Sequence, residues 1–142
     1  SWMRKQSGDE LLHAQKFVDH MVERDQIVVL PAVAQPPMTW DSAEALCTHL
    51  LQNEQAVTAS INELYVLAES AKDRPAGILL QWFVNEQMEE EAAARALLGR
   101  IRLGGKTGVG MLMIDQELAK GAVPGMPAAP AGGAARSCNA WG

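Results

Sequence analysis

Residues 79–101, LLQWFVNEQMEEEAAARALLGRI, decide how the chain folds. At about 100° per residue, Leu79, Phe83, Leu97 and Ile101 fall on one line, the apolar stripe of an amphipathic helix. Gln87 and Glu90 lie within that stripe and Glu86 at its edge, whereas Glu89 and Glu91 point elsewhere. A solvated acidic patch accounts for Glu91. It does not account for Glu90, a carboxylate bracketed by Phe83 and Ala94 on an apolar face.

Working outward, Pro75 suits the first turn of this helix, and Gly104-Gly105 ends it. Upstream, Asp41 and Glu44 form a capping-box pattern, followed by Leu46, Leu50, Val57, Ile61, Leu64 and Ala68 on one face. That second helix runs to about Lys72. Only a few residues separate the two, so they must be antiparallel neighbours. An earlier helix spans Trp2 to about Arg24, with Met3, Leu11, Ala14, Phe17, Val18, Met21 and Val22 at helical spacing. Between it and the second helix lie β-branched residues and three prolines, Pro36-Pro37 included, which no helix tolerates. About 16 extended residues reach ~50 Å, more than the ~37 Å length of a 25-residue helix. The connector can therefore cross the whole length of a bundle and set the first two helices parallel. Val109 to Lys120 reads as a short final helix. One long crossover with short hairpins is the plan of a ferritin-like bundle, not of a simple up-and-down one. The expected fold is all-α: a four-helix bundle with three long helices present here, plus a short C-terminal helix. Ser1 is not an initiator Met and helical periodicity begins at once, so we read residues 1–120 as an N-terminally truncated helical domain. Residues 121–142, rich in Gly, Ala and Pro, read as a disordered tail.

Glu90 is not alone. Glu54 shares a face with Leu50, Val57 and Ile61, and Glu10 lies on a stripe with Met3, Phe17 and Met21. His13 follows three residues later, making Glu-x-x-His. An ionised carboxylate stripped of water costs several kcal/mol even after relaxation, so three on inward faces need protons or cations. No inward Lys or Arg supplies a counter-charge. A bound cation pair does, and carboxylate with imidazole suits Fe(II). Glutamates from some helices with Glu-x-x-His from another are the di-iron pattern built inside helical bundles. Glu10, beside His13, is placed to bridge both metals.

Bulk properties exclude other classes. The chain has 142 residues, 48% of them hydrophobic, enough for one core. Its net charge of −5, with Lys and Arg scattered among acids, offers no surface for nucleic acid. No run approaches the ~18 apolar residues of a membrane span. Cys47 and Cys138 lie far apart in dissimilar contexts, neither a disulfide framework nor a metal-ligand spacing, which suits a reducing, cytoplasmic setting. His20 and His49 read as surface or interface residues, Trp82 and Cys47 as packing residues, and Tyr65 equally as a core residue or an electron donor to oxygen chemistry.

At the carboxylates a resemblance becomes specific. GDELLHAQKFVDHMVERD, LQNEQAVTASINEL, LLQWFVNEQMEEEA and KTGVGMLMIDQELAK look like the second, third, fourth and short fifth helices of bacterial non-haem ferritins. The resemblance implies Glu10 and His13 as ligands of a first iron, Glu10 bridging, with Glu54 and Glu90 holding the second. It implies Gln87 beside the centre, and Asp9, Glu86 and Glu89 at a third iron site. It further implies oxidation of Fe(II) by oxygen or peroxide, and storage of Fe(III) mineral in a hollow homo-oligomer of twenty-four subunits. Where bacterioferritins and rubrerythrins carry a second Glu-x-x-His, this chain has Gln87-x-x-Glu90, so the second iron should be held less firmly. Leu11 stands where bacterioferritins place a haem-ligating Met, so no haem is expected. Asp9 is one methylene shorter than the family's Glu, and the family's first helix with its own iron-binding Glu is not in this sequence. Two alternatives remain open: a catalytically silent ferritin subunit or fragment, and a rubrerythrin-like di-iron peroxidase.

Overall fold

A computed structural model describes residues 2–104 and 107–121. Four helices follow in chain order: α1 (Trp2–Val22), α2 (Ala43–Ser70), α3 (Arg74–Gly104) and α4 (Gly108–Ala119). Among the described residues there is no strand, so the expected all-α architecture of three long helices and one short is the observed one. Of the segment read as a disordered tail, 122–142 lie outside the described residues.

The helix ends have local causes. α1 stops where Asp25 turns left-handed (φ 55°) and Gln26 N donates back to Met21 O at 2.9 Å. α2 stops in the same way: Lys72 takes φ 55°, Asp73 N donates to Ala68 O at 2.9 Å and Lys72 N to Glu69 O at 3.0 Å. Both are Schellman endings that use a non-glycine residue at the left-handed position. Asp73 then opens α3, its Oδ1 accepting from Ala76 N at 3.2 Å. One residue thus closes one helix and begins the next, which makes the α2–α3 hairpin tight. At the start of α2 the capping residue is Ser42, not Asp41: its Oγ accepts from Ala45 N at 3.0 Å. Glu44 does not close a capping box but pairs with Arg102 at 2.8 Å, tying the start of α2 to the end of α3.

Cross-helix contacts fix the directions. Gln6 meets Glu90, His13 meets Trp82, and Arg24 meets Asp73 at 2.7 Å, so α1 runs antiparallel to α3. Thr58 meets Glu91, and Glu44 meets Arg102, so α2 is also antiparallel to α3 and hence parallel to α1. The long crossover required by that parallel pair is present. Its apolar residues Ile27, Val29, Leu30, Val33 and Met38 are exposed, each by more than 70%.

The core is split in two. Trp2, Cys47, Leu97, Leu98, Ile101 and Ile114 pack at one end, uniting all four helices. Ile61, Ala68, Leu80 and Phe83 pack toward the other, with Phe17, Tyr65 and Trp82 against them. Between these clusters, halfway along the bundle, lie the polar side chains Glu54, Gln87 and Glu90. Not every residue on the expected stripes is covered: Met3, Val57 and Leu64 are each more than 40% exposed. α1 buries only Trp2 fully, so its remaining apolar face is largely open.

Candidate metal centre

α1, α2 and α3 each deliver one carboxylate to a single cavity of about 320 Å³, lined by Glu10, Glu54 and Glu90 together with Gln6, Asn53 and Ala94. Among the described residues no Lys or Arg lines it. The helical spacing explains the delivery: Glu54 lies between Cys47 and Ile61 on α2, and Glu90 between Phe83 and Leu97 on α3. Each therefore faces inward in the gap between the apolar clusters.

Burial differs along the series. Glu54 is 9% exposed. Loss of water raises its pKa first of all, a hydrogen bond from Gln87 opposes the rise, and the Glu10 charge adds to it. Glu90 is half-buried, and desolvation followed by repulsion from Glu54 raises its pKa as well. Glu10 lies at the rim, its side chain 54% exposed, with Oε2 at 3.5 Å from His13 Nδ1. The His13 ring is nearly covered, edge-on to Trp82 and Phe83 at centroid distances of 5.6 and 5.9 Å. The two aromatic rings flank the imidazole, which stands beside Glu10 and does not itself line the cavity.

Gln87 is buried, and its Nε2 donates to the Glu54 backbone oxygen at 3.2 Å and to Glu54 Oε2 and Thr58 Oγ1 at 3.4 Å. Thr58 in turn donates to Glu91 Oε1 at 2.7 Å, and Arg95 pairs with Glu91 at 2.6 Å. Glu91 is thus not the freely solvated carboxylate that its helical phase predicts. The Thr58 hydroxyl and Arg95 hold its pKa down. Of the residues expected at a third iron site, Asp9 pairs with Lys5 at 2.8 Å, Glu86 is half-buried and Glu89 exposed. His20 sits at the surface against Arg24, and His49 tilts against Trp40, away from the cavity. Cys47 is a free, buried thiol whose pKa burial pushes up.

Two participants escape a reading based on stripes. Gln6 donates to Glu90 Oε2 at 2.7 Å, and Thr58 completes the Gln87 network. Their signal was spacing: Gln6 lies four residues before Glu10, and Thr58 four after Glu54, on the same helical faces.

Chemically, the donor set suits a hard or borderline divalent cation: oxygen from three carboxylates, nitrogen from one imidazole, and a cavity whose negative charge has no basic partner. The set is open in shape. Among the described residues no three carboxylate, imidazole or thiolate side chains converge closely enough to clasp one ion.

Comparison with known proteins identifies the family of the fold. A model of the ferritin-like domain matches residues 1–104. The chain belongs to the ferritin family. Bacterial non-haem ferritin of Escherichia coli is 31% identical over 118 residues, covering 83% of this chain and 72% of that protein. Its counterpart in Campylobacter jejuni is 36% identical over 112 residues, covering 79% and 67%. Among solved structures, an open-pore ferritin of the archaeon Archaeoglobus fulgidus superposes with a TM-score of 0.81 at 42% identity, over 83% of this chain and 73% of that one. The ferritin family accounts for the parallel α1–α2 pair and the long crossover. Among the described residues no helix is long and apolar enough to cross a membrane.

Proposed function

We propose that this protein oxidises Fe(II) and stores the Fe(III) product, with iron as substrate at the cavity between α1, α2 and α3. The observation that carries the reading is the delivery of Glu10, Glu54 and Glu90 from three helices to one cavity that no Lys or Arg lines among the described residues. A buried and a half-buried carboxylate with raised pKa values, Glu54 and Glu90, are held at a cost that cations remove. Glu10 and His13 would take the first Fe(II), and Glu54 and Glu90 the second, with Glu10 shared between them. Each Fe(II) surrenders one electron, so a pair reduces one dioxygen to hydrogen peroxide, or one peroxide to water, with protons drawn from solvent. The chain's own part is to bind and bring together: it holds two like-charged ions near each other by surrounding them with opposite charge. Family membership supports the reading, as does the similarity to proteins named as ferritins.

Storage needs an enclosure. The exposed apolar crossover and the open face of α1 are surfaces suited to self-association into a hollow homo-oligomer. A cytoplasmic setting goes with the free Cys47 thiol and a reduced iron supply.

A second reading, a catalytically silent structural subunit, is favoured by the open shape of the donor set. Stopped-flow oxidation of Fe(II), followed by ferric absorbance, separates the two. The wild-type protein should show a fast phase that Glu10→Ala and Glu54→Ala both lose while far-UV circular dichroism stays unchanged. Equal kinetics in wild type and both variants would sink the assignment of these ligands.

A further inference from the structure

Gln6 is polar, uncharged and one helical turn ahead of Glu10. Its Nε2 spans from α1 to α3 and donates to Glu90 Oε2 at 2.7 Å in a part-buried contact, at the edge of the cavity that Glu10, Glu54 and Glu90 line. Among the described residues this is the single side-chain hydrogen bond that the Glu90 carboxylate accepts. Resting on the iron-binding reading above, the geometry points to Gln6 as a positioning residue that holds Glu90 in its ligating orientation, one oxygen on the amide and the other left for a cation.

The chemistry of the donor fits this role. A glutamate side chain turns about three torsions, and restricting them before the cation arrives lowers the entropy lost on binding. A Lys or Arg could restrict them too, but its charge would neutralise Glu90 and repel Fe(II). An amide orients the carboxylate and leaves its charge in place. Gln87 stands toward Glu54 on α2 as Gln6 stands toward Glu90 on α3, each an uncharged donor from a neighbouring helix. The two carboxylates assigned to the second iron are thus the two that carry amide partners. Partners of this kind tune a metal site without touching the ion, and their loss typically costs ~10–100-fold in affinity.

The test is cobalt(II) titration of the complete, metal-free protein, followed by visible absorbance, beside its thermal midpoint without metal. Gln6→Leu keeps the bulk and removes the donor. It should weaken the cation held by Glu54 and Glu90 ~10-fold or more. The cation at Glu10 and His13 should bind as in wild type, and the metal-free midpoint should stay close to it, since cavity water replaces the amide. Gln6→Asn, which keeps a donor on a shorter arm, should recover part of the loss. Wild-type cobalt affinity in Gln6→Leu overturns the proposal, and so does an equal loss at both cations accompanied by a lower midpoint, the signature of a merely structural bond. Should Gln6→Leu fail to fold, Gln6→Asn decides alone, with wild-type affinity at both cations overturning the assignment. A wild-type protein that takes up no cobalt overturns the iron-binding reading together with this one.

Discussion

At the scale of single residues, the centre is a set of charges held against their preference. Glu54 shows the balance best: burial raises its pKa from about 4.5, the Gln87 amide pulls it back, and among the described residues no basic group lines the cavity. A carboxyl whose folded pKa exceeds its unfolded value lends stability that is full below the unfolded value and is lost as pH rises through the folded one. Near neutral pH, metal-free Glu54 therefore opposes folding. Glu54→Gln has nearly the same shape, carries no charge and can still accept from Gln87. Its metal-free thermal midpoint should exceed that of wild type near pH 7, and the gain should vanish below about pH 4.5, where wild-type Glu54 is protonated in both states. Added cobalt(II) should raise the wild-type midpoint more than the variant's, which keeps only the cation at Glu10 and His13. Scanning calorimetry at two pH values, with and without cobalt, checks all of these; a lower midpoint for the metal-free variant near pH 7 would contradict the account.

At the scale of elements, the joint between α2 and α3 rests on Asp73. Its carboxylate caps α3 through Ala76 N and receives Arg24 from the end of α1, so one side chain couples three helices. The Arg24 hydrogen bond is the main cause that holds its pKa below the ordinary 3.8, with the Ala76 bond second. A depressed pKa contributes stability that is present above the unfolded value and lost as pH falls through the folded one. Asp73→Asn retains a good cap and removes the charge. It should be less stable than wild type at neutral pH, and urea-unfolding midpoints of the two should converge as pH falls below 3.8. A gap that persists in acid would show the cap, not the charge, to be what matters. This joint was only partly legible beforehand. The short hairpin followed from the spacing of two helical patterns, but neither the double duty of Asp73 nor its contact with Arg24 has a local signature. The same holds at Ser42, where a neighbouring Asp offered an equally plausible cap.

At the scale of the whole molecule, Leu97 occupies the place where all four helices meet. It is 1% exposed and packs in the cluster that joins Trp2, Cys47, Leu98 and Ile114. Leu97→Ala should cost about 2–5 kcal/mol through lost burial and the cavity left behind. Urea denaturation should show a lower midpoint at an unchanged slope, and a change under about 1 kcal/mol would mean that the four-helix junction does not carry the fold. The cluster also fixes where the centre lies, because the polar layer begins where the apolar packing of α3 gives way from Leu97 and Ala94 to Glu90 and Gln87.

The amino-acid sequence by itself determined the helices, the parallel pair with its crossover, and the inward phase of Glu54 and Glu90. These depend on periods and connector lengths, which are local properties of the chain. Tertiary structure alone decided the rest: that Glu10 stands at the cavity's rim, that Glu91 is tied down by Thr58 and Arg95, and that Gln6 reaches Glu90. A helical phase says toward which side a residue points. What it meets there depends on how closely and at what height the neighbouring helix packs, and that is set by contacts between residues dozens of positions apart.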